Sequence, residues 1–273
     1  MKKLLTMLAL SASLAFSATT IVTVNGHKIT DTIAPQYAKA DKAAKAKLKQ
    51  QLIEEELILS YALKSSAVKD KNFKKLYDAE KTKIEKAYKA KFNKSLDKEQ
   101  LRNLKGAIAL RILLAKKAKD IKISDKDAKE FFTKNKKKFD FPDSIELAII
   151  DSKTKKDAEA ILKKLSKAKD IPAKLMEIAK SKKQRGYLGW IPKKAMKTAV
   201  FNKIFKSKSG TLLKKPIHEN KIYSVVYLVN KRKAGSAKFE EVKQNLKGML
   251  LQQKTAEWAK KKVAELKKTA KIK

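Results

Sequence analysis

The amino-acid sequence predicts an α+β protein, in which a mainly helical module is interrupted by a segment of short, mixed elements. Two observations predict this. Apolar residues recur at spacings of three and four from about residue 41 to residue 132, and again from Phe239 to the end. Between these stretches, after Phe139-Asp140-Phe141-Pro142, short β-branched runs alternate with short helical patterns.

The chain opens with Lys2 and Lys3, followed by a mostly apolar run of 13 residues from Leu4 to Phe16. Ala15-Phe16-Ser17 then places small residues three and one before a cut at Ala18. This is the pattern of a secretory signal peptide, and it falls short of the ~20 apolar residues that a membrane-spanning helix needs. Residues 1–17 are therefore expected to be removed near Ser17-Ala18, leaving an exported protein. Thr20 to Thr30 reads as a hairpin around Asn25-Gly26. His27 follows that turn and is expected on an exposed loop or strand, with no partner nearby in sequence.

Four helical segments come next. The first, near Asp41 to Lys64, carries Leu48, Leu52, Leu59 and Leu63, with Ile53 and Leu57 beside them. The second carries Phe73, Leu76, Tyr77, Ile84, Ala87, Tyr88 and Phe92; the third carries Leu101, Leu104, Ile108, Ile112 and Ala115. The fourth starts at the capping pattern Ser124-Asp125-Lys126-Asp127 and presents Ala128, Phe131 and Phe132. Glu54-Glu55-Glu56 on the first helix point about 100° apart from one another, so they read as a solvated face and not as an acid/base pair. In the mixed segment, strands are expected at Ile145 to Ile150, Gly186 to Ile191 and Ile222 to Val229. Helices are expected near Thr154 to Lys167, Pro172 to Ser181 and Lys193 to Phe205. His218 lies in the polar run Ile217-His218-Glu219-Asn220 and is expected to be exposed. The final helical pattern should pack back on the N-terminal helices. The expected domains are 18–138 helical, 139–233 mixed, and 234–273 helical.

Composition excludes several classes of function. Without Cys there is no disulfide framework, thiolate nucleophile or Cys-based metal site, and with only two His a His-rich metal site is not expected. No cofactor is implied. The formal net charge of +40 becomes +38 once Lys2 and Lys3 leave with the signal peptide. Only four of the 68 basic residues are Arg, and the Lys are spread along the whole chain. Nucleic-acid readers favour Arg forks and clustered patches, so no dedicated nucleic-acid role is expected. The Lys surface suits solubility and attraction to acidic partners, or weak association with an anionic membrane surface.

Arg185-Gly186-Tyr187-Leu188-Gly189-Trp190 resembles the Gly-Gly-x-Leu-Gly-Trp turn of bacterial parvulins, and Met196, Phe205, Ser209-Gly210 and Pro216 follow in that family's order. Together with the signal segment, the Val-Asn-Gly start and the helical flanks, the mature chain resembles a SurA/PpiC-type periplasmic chaperone with a parvulin-like domain over about residues 142–233. The resemblance implies a periplasmic location and binding of unfolded or extended polypeptides; monomer and dimer both stay open. It also implies a proline-holding pocket from Leu188, Met196, Val200, Phe201, Phe205 and Tyr223. The family's two site histidines fall on Ile149 and Ser224, its pocket phenylalanine falls on Val200 with Phe201 adjacent, and the loop from Ile178 to Arg185 is too short for the family's Cys or Asp. No catalytic residue is retained on this register. Two activities fit: a holdase whose isomerase activity is weak or lost, or an active peptidyl-prolyl isomerase. A third reading, a Lys-rich envelope protein that binds anionic polymers, explains the charge but not the turn.

Overall fold

The computed structural model describes residues 19–273, so the expected signal segment lies outside the described residues. The chain forms two compact units: one holds residues up to Ala128 together with Asn245–Lys273, the other Lys129–Gln244.

The first unit begins with an antiparallel hairpin of β1 (Thr20–Val24) and β2 (His27–Thr30). Asn25 and Gly26 fill its two-residue turn at φ 49° and 85°, the left-handed pair that a hairpin turn of this length favours. Then come α1 (Lys42–Lys64), α2 (Phe73–Phe92), α3 (Lys98–Asp120) and α4 (Asp125–Lys134). Short polar side chains start three of them. Asp41 accepts the Ala44 N–H at 2.8 Å, Asp97 and Gln100 cap reciprocally, and so do Ser124 and Asp127. The helical stripes meet in one core, where Ile58 and Ala62 of α1 face Leu104, Ile108 and Ile112 of α3, with Phe73 of α2 against them. A second core joins Val22, Val24 and Ile29 of the hairpin to Leu52, Ile53 and Leu57 of α1.

Two expectations fail in this unit. Glu56 does not lie on a solvated face: it is 4% exposed, among the buried residues of α1. Its charge is met by Arg102, whose guanidinium donates to both carboxylate oxygens at 2.6 and 3.0 Å, and by the Ser60 hydroxyl. His27 is not isolated either. Its Nε2 is 3.0 Å from Glu99 Oε2, and its Nδ1 lies 3.2 Å from Glu56 Oε2, close enough for charge pairing but out of line for a hydrogen bond. Burying a carboxylate is tolerable only with such partners, and they come from residues 4, 29 and 46 positions away.

The second unit is an antiparallel sheet with helices on both faces. In chain order it holds β3 (Asp140–Phe141), β4 (Ser144–Ser152), α5 (Lys155–Ser166), α6 (Ile171–Ser181) and β5 (Tyr187–Pro192). After these come α7 (Thr198–Phe205), β6 (Thr211–Leu212), β7 (Ile217–Glu219), β8 (Ile222–Arg232) and β9 (Gly235–Ser236). β4 and β8 pair at the centre, β5 flanks β4, and β6 and β7 share the far side of β8; β3 and β9 form a separate pair. Because side chains alternate, β4 and β8 are apolar on both faces. Ala148, Ile150, Val225 and Tyr227 pack under Ile161 and Leu165 of α5 and Leu175 of α6. Ile145, Leu147, Val226 and Leu228 pack under Phe201 and Ile204 of α7. The helix expected from Lys193 shrinks to α7: Lys193–Ala195 make one tight turn, and Met196 is extended at φ −147°, ψ 167°.

The last helix, α8 (Phe239–Thr269), starts in the second unit and continues in the first. There Val263 packs on the core of α1 and α3, and Leu266 packs on the hairpin core. Lys247 and Lys254 pair with Asp125 and Asp127 at the start of α4, at 2.8 and 3.5 Å. Beyond α8 the chain pairs with β1: Thr23 N–H donates to Lys273 O at 2.9 Å, and Lys273 N–H donates to Thr23 O at 3.0 Å.

Candidate functional site

The α7 face of the sheet carries most of the predicted pocket. Alternation along β4 sends Ile145, Leu147 and Ile149 toward α7, and along β8 it sends Ser224, Val226 and Leu228 the same way. Phe201, 1% exposed, is the buried base of this face, covered by its neighbours, and partly buried Phe205 stacks on it with ring centroids 5.3 Å apart. Partly buried Ile149, Ile191, Met196, Val200 and Ile217 surround that base. The extended backbone at Met196 interrupts what would otherwise be one helix, so its flexible thioether joins this cluster directly ahead of α7.

The glycine turn fixes this face from the β5 side. Gly186 has φ +74°, and a Cβ there would come within 2.8 Å of Ala179 Cβ and 2.9 Å of Met176 Sδ. Only glycine fits without displacing α6. Its carbonyl accepts the Ile149 N–H at 2.7 Å, which pins the strand residue expected at the first family histidine position. Gln184, just before the turn, donates to Asp151 O and accepts from Asp151 N, both at 2.9 Å. The segment from Ile178 to Arg185 thus acts as a strap across the end of β4.

Beyond Ile149 on the same face stands Asp151. It pairs across the sheet with Ser224, whose hydroxyl donates to Asp151 Oδ1 at 2.5 Å. Of the two positions where the family histidines are expected, Ile149 is apolar and Ser224 presents a hydroxyl tied to Asp151. Asp151 is absent from the predicted site set, although the alternation of Ile145, Leu147 and Ile149 puts it on the pocket side.

Two predicted pocket residues stand apart from the rest. Tyr223 faces the other side of the sheet, packed against the α5/α6 core and stacked on exposed His218 at 4.2 Å. Leu188, partly buried, sits at the register shift where β5 slips past Leu147 and Ala148. The remaining residues of the turn also serve that second face. Tyr187 donates to Glu146, which holds the phenol above its ordinary pKa by stabilising the protonated form. Trp190 and Phe141 sandwich the Arg232 guanidinium at 4.3 and 3.8 Å. Among the described residues, no three His, Cys, Asp or Glu side chains gather so as to hold a metal ion.

Chemically, the α7 face is an apolar floor with an adaptable rim and one carboxylate–hydroxyl pair at its edge. It can hold a proline ring or another apolar side chain. It offers no imidazole, and the Ser224 proton is committed to Asp151.

Comparison with known proteins agrees with this architecture. The PPIC-type PPIase domain family matches residues 123–244. Cbf2 of Campylobacter jejuni, assigned as a peptidyl-prolyl cis-trans isomerase, is 31% identical over 253 positions, covering 86% of this chain and 84% of Cbf2. The foldase protein PrsA of Clostridium botulinum is 28% identical over 250 positions, covering 85% of this chain and 74% of PrsA. A solved chain of Campylobacter jejuni, from the SurA-like chaperones PEB4 and Cj1289, is 29% identical and spans 93% of this chain and 99% of its own, with a TM-score of 0.32. The chain belongs to the PpiC-type prolyl isomerase family that includes Cbf2, with its PPIC-type PPIase domain over residues 123–244.

Proposed function

We propose that this protein is an exported holdase: it binds unfolded or extended segments of secreted or outer-membrane proteins, and its parvulin-like domain serves as a client-binding module with weak or lost isomerase activity. The observation that carries this reading is the α7 face itself, with its apolar floor of Phe201 and Phe205 kept and Ile149 and an Asp151-bound Ser224 in place of polar catalytic groups. Rotation about a prolyl bond crosses a barrier of ~18–20 kcal/mol without breaking a bond. A site accelerates it only by preferring the twisted amide to both planar forms. A floor that grips the proline ring equally in all three states binds without accelerating. The family, with its PrsA relatives named as foldases, supports client binding. The apolar signal-like segment from Leu4 to Phe16 supports export, and no helix among the described residues is long and apolar enough to cross a membrane.

The test is aggregation of a chemically unfolded client, followed by light scattering with increasing amounts of the folded protein. The proposal predicts suppression at substoichiometric to equimolar amounts, and Met196→Ala should reduce it. Undiminished aggregation at both low and moderate salt would remove the holdase reading.

A further inference from the structure

We infer that Asp151 selects client segments in which a lysine or arginine flanks the bound apolar or proline residue; this rests on the α7 face being the client-binding face. Three observations carry the inference. Asp151 lies two residues beyond Ile149 on the strand that lines this face, so its carboxylate stands one side-chain position beyond that rim residue. It is held in place from two directions, with its backbone N–H and C=O clamped by Gln184 and its Oδ1 bonded to Ser224. And among the described residues no cation pairs with it, in a chain of 68 basic and 28 acidic side chains, whereas Glu219 of β7 is bound by Lys197 at 2.9 Å.

A carboxylate can accept at both oxygens, and the single Ser224 hydroxyl leaves acceptor capacity that suits an ammonium or guanidinium. Two cations that reach this face are engaged elsewhere: Lys197, just before α7, pairs with Glu219 at 2.9 Å, and Lys231 donates to the carbonyls of Phe205 and Ser207. A segment lying with its apolar residue on the partly buried rim of Ile149 and Met196 would carry its next side chain past Asp151. The chain's net positive charge opposes a cationic ligand at long range, so a preference for one marks a local carboxylate.

The test measures binding, not turnover, so it does not depend on catalysis. Fluorescent peptides that differ only in the residue before proline (Lys, Ala or Glu) are titrated with the whole folded protein, its Asp151→Asn and Met196→Ala variants, and an Asp151→Glu variant. The expected result is about two- to five-fold tighter binding of the Lys peptide than of the Ala peptide, as one partly exposed ion pair allows. The Glu peptide should be weakest, and ~0.5 M salt should compress the ranking. Asp151→Asn should erase the Lys preference, and Asp151→Glu should restore part of it. Met196→Ala should weaken all three peptides alike. If Met196→Ala weakens them but Asp151→Asn leaves the ranking intact, the selectivity inference falls while the binding face stands. If Met196→Ala leaves all three unchanged, the binding face itself falls. A Lys peptide bound no more tightly than the Ala peptide by the unaltered protein overturns the inference whatever the variants do.

Discussion

Glu56 illustrates how a single charge inside a helical core constrains its surroundings. It takes two hydrogen bonds from Arg102 and one from Ser60, and His27 Nδ1 lies 3.2 Å from its Oε2. Removing one partner of such a group leaves the other uncompensated. Arg102→Met is therefore expected to destabilise the first unit by about 3–5 kcal/mol, measured by urea unfolding. The double variant Glu56→Met/Arg102→Met should recover much of that loss. An Arg102→Met variant of unchanged stability would show that the cluster is solvated. At the binding face, Phe201→Ala should cost about 3–5 kcal/mol, since it empties a buried ring site, while Val200→Ala at the partly buried rim should cost far less. These residues differ in how far the sequence reveals them. The stripe that places Phe201 is local, and so is the alternation that aims Asp151 at α7. The meeting of His27, Glu56 and Arg102 is not local, because it depends on how the hairpin and two helices stack.

At the scale of elements, short-range chemistry predicts well and long-range pairing does not. The Asn25-Gly26 hairpin, the stripes of α1 to α3 and the cap of α4 follow from residues within four positions of each other. β6 and β7 escape a sequence reading because they are two and three residues long, and only pairing with β8 makes them strands. The break before α7 is equally hidden, since nothing in Lys193 to Lys197 requires Met196 to extend. The cap of α4 has a consequence in acid. The Ser124 hydrogen bonds, with Lys254 nearby, hold Asp127 below the ordinary aspartate pKa. Its folded pKa is thus lower than its unfolded one. The stability it contributes is present above the unfolded value of ~3.9 and is lost as pH falls through the folded value. Unfolding midpoints measured from pH 7 downward should therefore drop more steeply below about pH 4 in the unaltered protein than in Asp127→Asn. Parallel curves would refute the assignment. Gly186→Ala makes a sharper demand. It needs a left-handed alanine and a Cβ inside the contact distance of Ala179, so it should loosen the strap over β4 and weaken client binding together with stability. A Gly186→Ala protein with unchanged thermal stability would contradict that.

For the whole molecule, a formal charge of +40 with little Arg describes a solvated Lys coat that acts at a distance. The apolar floor on the α7 face acts only at contact. Client capture should therefore have a salt-sensitive rate and a largely salt-insensitive retention, because screening shortens the reach of charges to ~8 Å at physiological salt and ~3 Å at 1 M. Capture abolished outright by salt would instead mark the protein as a binder of anionic polymers. The central claim is that the sheet domain keeps the grip of a prolyl isomerase without its acceleration. The most direct measurement is the cis-to-trans rate of an Xaa-Pro peptide as the concentration of folded protein is raised, with several residues before proline. The account predicts that relaxation stays near the uncatalysed timescale of about 10–100 s, even at concentrations where the peptide is bound. A rate that climbs in proportion to protein, and falls back in Met196→Ala, would contradict it and establish an isomerase that works without histidines.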